Sequence, residues 1–347
     1  MTVFFILIMA ALIATIAFPD IGTEAVKESL VLISSSVLPA MFCFMVLSRF
    51  IQKTNSVKIL NPLLRPAARL LKLNEEALSC FVVGNICGYP NGAVSSSEII
   101  KKIPSEDYTL TAVSNNVSIG FAVTLCGKGY LNSTSTGIII FVSQFLSAVS
   151  IGAILRKRRV YITSDQTAVA PDISMCFCDS IKESAYSSLV LSGFIVFFHV
   201  ISTYIKELMT LLKFPKVITV IISSITEITY GCKEAEVLGD IPAVALISFL
   251  CGFSGLCVIF QSLVFLIPAG IDVKKYVIFK IFQGICSSAI TVVIYLLFKY
   301  KRYEYTSKIE GGVDINFIIV DITMLTVFVV ITIIKRIIEK RSSYINY

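Results

Sequence analysis

The sequence predicts an all-α polytopic membrane protein made of two inverted repeats, with re-entrant hairpins and interrupted helices. Three observations carry this. Apolar runs of membrane-spanning length recur from end to end. Basic residues gather in short clusters beside those runs. Glycine, proline and small polar residues break the runs at matching places in the two halves.

The apolar runs come first. Of 347 residues, 56% are hydrophobic and only 15% charged, and the mean hydropathy is +0.84. A soluble domain of this length needs far more polar surface. Ten segments read as apolar helices: Val3–Phe18, Leu30–Ile51, Ala77–Ile100, Tyr108–Cys126, Thr136–Leu155, Ser184–Ile205, Val217–Tyr230, Ile241–Ile267, Tyr276–Phe298 and Ile315–Ile334. Most approach the ~20 residues a spanning helix requires. Val3–Phe18 has neither a basic start nor an A-x-A cleavage site, so it reads as a retained first span.

The net charge of +7 is not a nucleic-acid footprint, because of where it lies. Six basic residues and no acidic one fall between Arg49 and Lys72. "RKRR" spans Arg156–Arg159, and Lys335, Arg336, Lys340 and Arg341 close the chain. Clusters beside apolar spans are topology signals that face the cytoplasm and its anionic headgroups. "NSVKILNPLLRPAARLLKL", Asn55–Leu73, reads as an interfacial amphipathic helix or a basic cytoplasmic loop. Asp20–Glu28 is acidic by three to one and reads as an external loop, which puts both termini inside.

Parity then selects the hairpin. The basic stretch ending at Lys72 and the one starting at Arg156 share a side, yet three apolar segments separate them. One of the three must turn back. Ala77–Ile100 carries "GNICGYPNGAVSSSE", with Gly88, Pro90 and Gly92 as turn residues. A second short segment, Val217–Tyr230, ends in "TEITYG" with Gly231 at its turn. Gly92 precedes Asn116 by 24 positions, and Gly231 precedes Ser254 by 23. Three crossings per unit make the two units inverted. Matching interrupted segments of this kind point to a transporter site. The chain divides into a first helix and external loop (1–29), repeat 1 (30–155), a cytoplasmic linker (156–183), repeat 2 (184–298) and a final helix with a basic tail (299–347).

"GYPNGA", "SNN" in an interrupted helix, "EITYG" and "GFSGL" followed by Gln261 together resemble the sporulation integral membrane proteins of the YlbJ type. These group with nucleoside-recognition (Gate) domain proteins. The likeness runs from about Ser34 to Tyr295. It implies an architecture like that of concentrative nucleoside transporters, and a role in endospore envelope (cortex) formation in Firmicutes, at the forespore or mother-cell membrane. After Asn116 the chain carries "VSIGF", where the family pattern has N-N-x-x-P.

The candidate substrate-binding residues are Asn91, Asn115, Asn116, Ser254 and Gln261. Each amide or hydroxyl has a structural alternative: Asn91 as a turn residue, the others as helix–helix hydrogen-bond partners. Ser95, Ser96 and Ser97 read as bonded within their own helix. Glu227 is a carboxylate among apolar and hydroxyl residues, which makes it the candidate ion-coupling group for Na⁺ or H⁺. Its alternative is an interfacial position near Lys233. On this reading Glu227→Gln removes coupling and leaves stability unchanged. His199 reads as packed or hydrogen-bonded in the core. The cysteines, "CFC" at Cys176–Cys178 included, read as small hydrophobes with no metal or other cofactor. H-E-x-x-H, G-x-S-x-G, Walker and dinucleotide motifs do not occur, so the reading is not an enzyme.

The expected function is secondary transport or export of a small polar metabolite or spore-envelope precursor. The alternative is a non-transporting scaffold of the spore membrane with a transporter-derived fold. The expected partners are lipid, a small-molecule substrate and, for a homo-oligomer, further copies of the chain.

Overall fold

The computed structural model describes residues 2–54, 56, 69–101, 108–155 and 172–306. Within them the chain is helical and no strand occurs. The span Ile315–Ile334, the basic tail, "RKRR" and most of Asn55–Leu73 lie outside the described residues.

Helix α1, Thr2–Ala17, is followed at once by α2, Pro19–Leu32. The expected external loop Asp20–Glu28 is therefore helical. Pro19 is pre-set for a first helical turn, and Asp20 sits in that turn, where the helix dipole favours an acid. Gly22, Ala25, Ser29 and Leu32 form a buried stripe at three- and four-residue spacing. A short π turn, Ile33–Val37, leads into α3, Leu38–Lys53. The chain bends by 59° between Pro19–Val37 and Met41–Ile51.

Helices α4 (Glu75–Cys87) and α5 (Asn91–Ile100) form the first hairpin. A β-carbon placed on Gly84 would lie 2.9 Å from the Cα of Gly92. Eight residues of continuous helix would separate them by about 12 Å, so the chain has doubled back. Next come α6 (Tyr108–Ser114), an unwound stretch at 115–118 and a π-helix, Gly120–Tyr130. Helix α7 is Thr134–Leu155 and α8 is Ile173–Leu211.

A second hairpin joins α9 (Lys216–Thr226) to α10 (Ile228–Glu234). A β-carbon on Gly231 would lie 2.6 Å from the Cα of Ser224, again a doubling back. Beyond a 3₁₀ turn, α11 (Asp240–Phe253) and α12 (Gly255–Leu266) are separated by Ser254 alone. Helix α13, Val273–Thr306, ends the described chain.

Among the described residues four helical stretches are long and apolar enough to cross a membrane: Thr134–Leu155, Ile173–Leu211, Asp240–Ala269 and Val273–Lys299. The bent α2–α3 pair makes a fifth. Ala77–Cys87 and Lys216–Thr226, the first arms of the two hairpins, are apolar but short. Eleven helical residues rise about 16 Å, half of a ~30 Å hydrocarbon core. The chain is a membrane protein, and the burial pattern agrees. Helix α8 buries Ser184, Ser188, His199 and Ser202 while exposing Leu189 and Phe197. An apolar outside over a polar inside suits lipid as the solvent.

Candidate functional site

Four buried helix breaks meet in the middle of the protein. The first is Gly88–Pro90, at the tip of hairpin one. Gly88 has φ +76°, a conformation glycine adopts without strain. The Asn91 amide donates to the Gly88 carbonyl at 3.4 Å, and Ser96 and Ser97 donate to carbonyls of their own helix. These side chains complete local backbone, as turn and helix residues do.

The second break, 115–118, presses against the first. A β-carbon on Gly92 would lie 2.6 Å from the Asn115 Cα. Asn115 Oδ1 accepts from the Ala93 N–H at 3.1 Å. Its Nδ2 bonds the Ser262 and Tyr276 hydroxyls at 2.8 and 2.9 Å. Asn116 Nδ2 donates to Asn85 Oδ1 and the Val113 carbonyl, and Gln144 Nε2 donates to the Val117 carbonyl. The break thus needs no proline after Asn116, because side-chain amides occupy the freed backbone groups.

Lys280 closes this network. It is fully buried on α13, in the apolar run "YVIFKIFQG". Its ammonium donates to the Asn115 carbonyl (2.9 Å), Asn116 Oδ1 (3.0 Å) and Gln283 Oε1 (2.7 Å). An ammonium carries three donors, and all three are used. Among the described residues no carboxylate bonds it. Lys280 and Gln283 were missed in the sequence. The signal was there: a charge inside a spanning run is the same criterion that picked out Glu227, and an i, i+3 pair shares a helix face.

The third break is Glu227, between α9 and α10. It is fully buried, and both its oxygens accept backbone N–H groups, Oε1 from Thr229 at 3.0 Å and Oε2 from Tyr230 at 2.7 Å. Glu227 is therefore the N-cap of α10, with its charge against the positive end of the helix. Its side chain is enclosed in the protein interior. His199, expected in the core, stacks on Tyr230 with ring centroids 3.5 Å apart and bonds Glu28 at 3.3 Å.

The fourth break is Ser254, whose φ of +89° is left-handed. The hydroxyls of Ser254 and Tyr89 share a short hydrogen bond, and Tyr89 also donates to the Cys251 carbonyl at 3.2 Å. A β-carbon on Gly255 would touch Ile228 at 3.4 Å, so this break rests on the third. Gln261, about two turns beyond, is buried with both amide atoms unbonded.

A cavity of about 30 Å³ opens between the breaks. Met41, Tyr89, Val117, Leu191, Glu227 and Cys257 line it from six different parts of the chain. Its lining is mostly apolar, with Glu227 and Thr229 as the polar exceptions beside the Tyr89 ring.

Of the residues picked out in the sequence, Asn115 and Asn116 join one network through Lys280, and Ser254 bonds Tyr89 at the tip of hairpin one. Asn91 serves its own turn, Glu227 borders the cavity, and Gln261 is unpaired. The chain is similar to a known sporulation membrane protein. The sporulation integral membrane protein YlbJ of Bacillus subtilis (strain 168) is 23% identical over 367 aligned positions, which cover 90% of this chain and 87% of the relative. No protein-family model matches the chain, and no solved structure matches it.

Proposed function

We propose that the protein is a secondary transporter or exporter of a small polar metabolite or spore-envelope precursor, and that it acts in endospore envelope formation. One observation carries this reading. Two short hairpins and two interrupted helices bring their breaks together in the interior, with a small, mostly apolar cavity bordered by Glu227 between them. Irregular backbone at membrane depth is stable only inside protein or along a wet cavity.

The order of elements supports two inverted, Gate-like repeats. A long or bent helix, a hairpin, a broken helix and a full span occur as α2–α3, α4/α5, α6 with the π-helix, and α7. They recur as α8, α9/α10, α11 with α12, and α13. The relative's name supports the link to sporulation. In this reading Lys280 holds the break of repeat 1 as a built-in cation, so coupling falls to Glu227, beside the cavity. Gln261 supplies an amide that awaits a polar ligand or water.

A non-transporting scaffold is favoured by a different feature, the complete internal bonding of Asn115, Asn116 and Lys280. The test separates the two. The purified full chain is screened by thermal shift against nucleosides, amino acids and small anions, since a ligand of the folded state raises its melting temperature. Transport predicts a stabilising compound whose effect is lost in Gln261→Leu, and uptake of that compound into proteoliposomes. If no compound stabilises the protein, and a sporulating host complemented with Gln261→Leu or Glu227→Ala forms normal spores, the scaffold reading stands.

A further inference from the structure

Three cysteines from three separate elements converge beside the breaks. Cys126 lies on the π-helix, Cys232 on α10 and Cys251 on α11. Their sulfurs all lie within 4.8 Å of one another, and all three side chains are fully buried. Their surroundings are apolar: Leu125, Ile228, Ile247 and Leu250 belong to the same core.

Buried cysteine ordinarily packs as a small hydrophobe. Packing asks only that each thiol fill its own space. Here three thiols from three separate elements come within 4.8 Å of one another. Such a donor set is soft, and soft sulfur ligands select thiophilic ions. Structural zinc closes its shell with four ligands, and iron–sulfur clusters take four cysteines. Three sulfurs in a dry pocket suit a monovalent d¹⁰ ion of low coordination number.

We propose that Cys126, Cys232 and Cys251 form a three-sulfur site for Cu(I). Binding replaces the thiol protons by one Cu⁺: the three sulfurs give their protons up to solvent and ligate as thiolates. No electron is transferred; the loaded site carries a net negative charge, and binding weakens as pH falls because protons compete for the sulfurs. The site ties the returning arm of hairpin two to both interrupted helices. The Cys251 carbonyl, in turn, accepts from Tyr89 at the tip of hairpin one. An ion there clamps the four breaks in their closed arrangement. The site stands independently of whether the protein transports anything.

The test uses the full chain in detergent, reduced and oxygen-free. Cys43, Cys176, Cys178 and Cys286, which are exposed or half-buried, are first replaced by serine so that surface thiols do not contribute. Cu(I), supplied as its acetonitrile complex, is titrated in competition with bicinchoninate, and the loaded protein is studied by X-ray absorption. One copper per chain with three sulfur neighbours is expected. Cys126→Ser, Cys232→Ser and Cys251→Ser should each weaken binding by more than about ten-fold, since even outer-shell changes cost that much. Cys80→Ser should bind as the parent does. Failure to retain copper against the chelator, fewer than three sulfur neighbours, or undiminished binding by the triple serine variant would overturn the site. So would stoichiometric Zn(II) binding with rejection of Cu(I). The absorption measurement needs no variant at the three positions, so a folding defect in those variants leaves the proposal testable.

Discussion

The Tyr89 hydroxyl is bonded to the Ser254 hydroxyl, across 165 positions of sequence. Tyr89 belongs to the tip of the first hairpin, and Ser254 is the break of the last interrupted helix. Ser254 holds a left-handed backbone without being glycine. Such conformations persist where the surroundings over-determine them, and here the Tyr89 contact and the neighbouring α10 hold the residue. The hairpin tip and the interrupted helix therefore form one mechanical unit.

Replacing Gly92 tests the contact between the first two breaks. The obstacles to a β-carbon are the Ser114 carbonyl oxygen and, at 2.6 Å, the Asn115 Cα, both backbone atoms that cannot rotate away. Gly92→Ala should cost about 1–3 kcal/mol through overpacking, read as a lower melting temperature in detergent. Gly92→Leu should also abolish complementation of sporulation. An alanine variant with parental stability would refute close packing at this tip.

Glu227→Gln should both stop coupling and destabilise the fold. The earlier expectation of unchanged stability gives way to the observed geometry. Both carboxylate oxygens accept backbone N–H groups, whereas glutamine offers one acceptor and turns an amide N–H₂ toward a donor. Leaving one buried donor unmet costs about 1–3 kcal/mol. Thermal unfolding of the variant checks the cost, and ion-dependent uptake checks the coupling.

Lys280→Met should be the most damaging single change among those considered. The Asn115 carbonyl and Gln283 Oε1 would each lose the ammonium donor, while Asn116 Oδ1 keeps Gln283 Nε2. Two orphaned acceptors cost about 2–6 kcal/mol together. Lys280→Arg should not rescue it, because a planar fork does not reproduce the three-way geometry of an ammonium. Parental stability of Lys280→Met would show that the network is not bonded as described.

Gln261→Met should behave in the opposite way. The amide is buried and unbonded, so an apolar replacement of similar size should raise stability by about 1–3 kcal/mol. Function should fall. A variant that is both more stable and fully functional would remove Gln261 from the site.

Sidedness is checked by cysteine labelling from outside, in a chain without native cysteines. Thr23→Cys should be modified and Lys101→Cys protected, because the first hairpin returns to the side on which it began. External labelling at 101 would make Ala77–Ile100 a crossing.

Much of the scaffold was legible from local pattern. The apolar runs, the turn at Gly88–Gly92 and the acid at Glu227 are features of composition and spacing, and most described helices overlap the runs those features mark, though α8 begins at Ile173, inside the expected linker 156–183. Asp20–Glu28 was misread because acidic charge was taken as a loop signal. The stripe of Gly22, Ala25, Ser29 and Leu32 and the proline start were the better guide. Lys280 was passed over because its run is otherwise so apolar, although that is the very context in which a charge carries information.

The sequence by itself determined that this is a helical membrane protein whose helices break at glycine, proline and small polar residues. Those are properties of single segments, governed by hydration and backbone freedom. Only the tertiary structure decided which breaks meet, that a buried ammonium bonds the Asn115 backbone carbonyl and the Asn116 side chain, that Gln261 is left unpaired, and that the sulfurs of Cys126, Cys232 and Cys251 lie within 4.8 Å of one another. Partnership across 100 or more positions depends on how helices pack, and no local pattern of polarity encodes it.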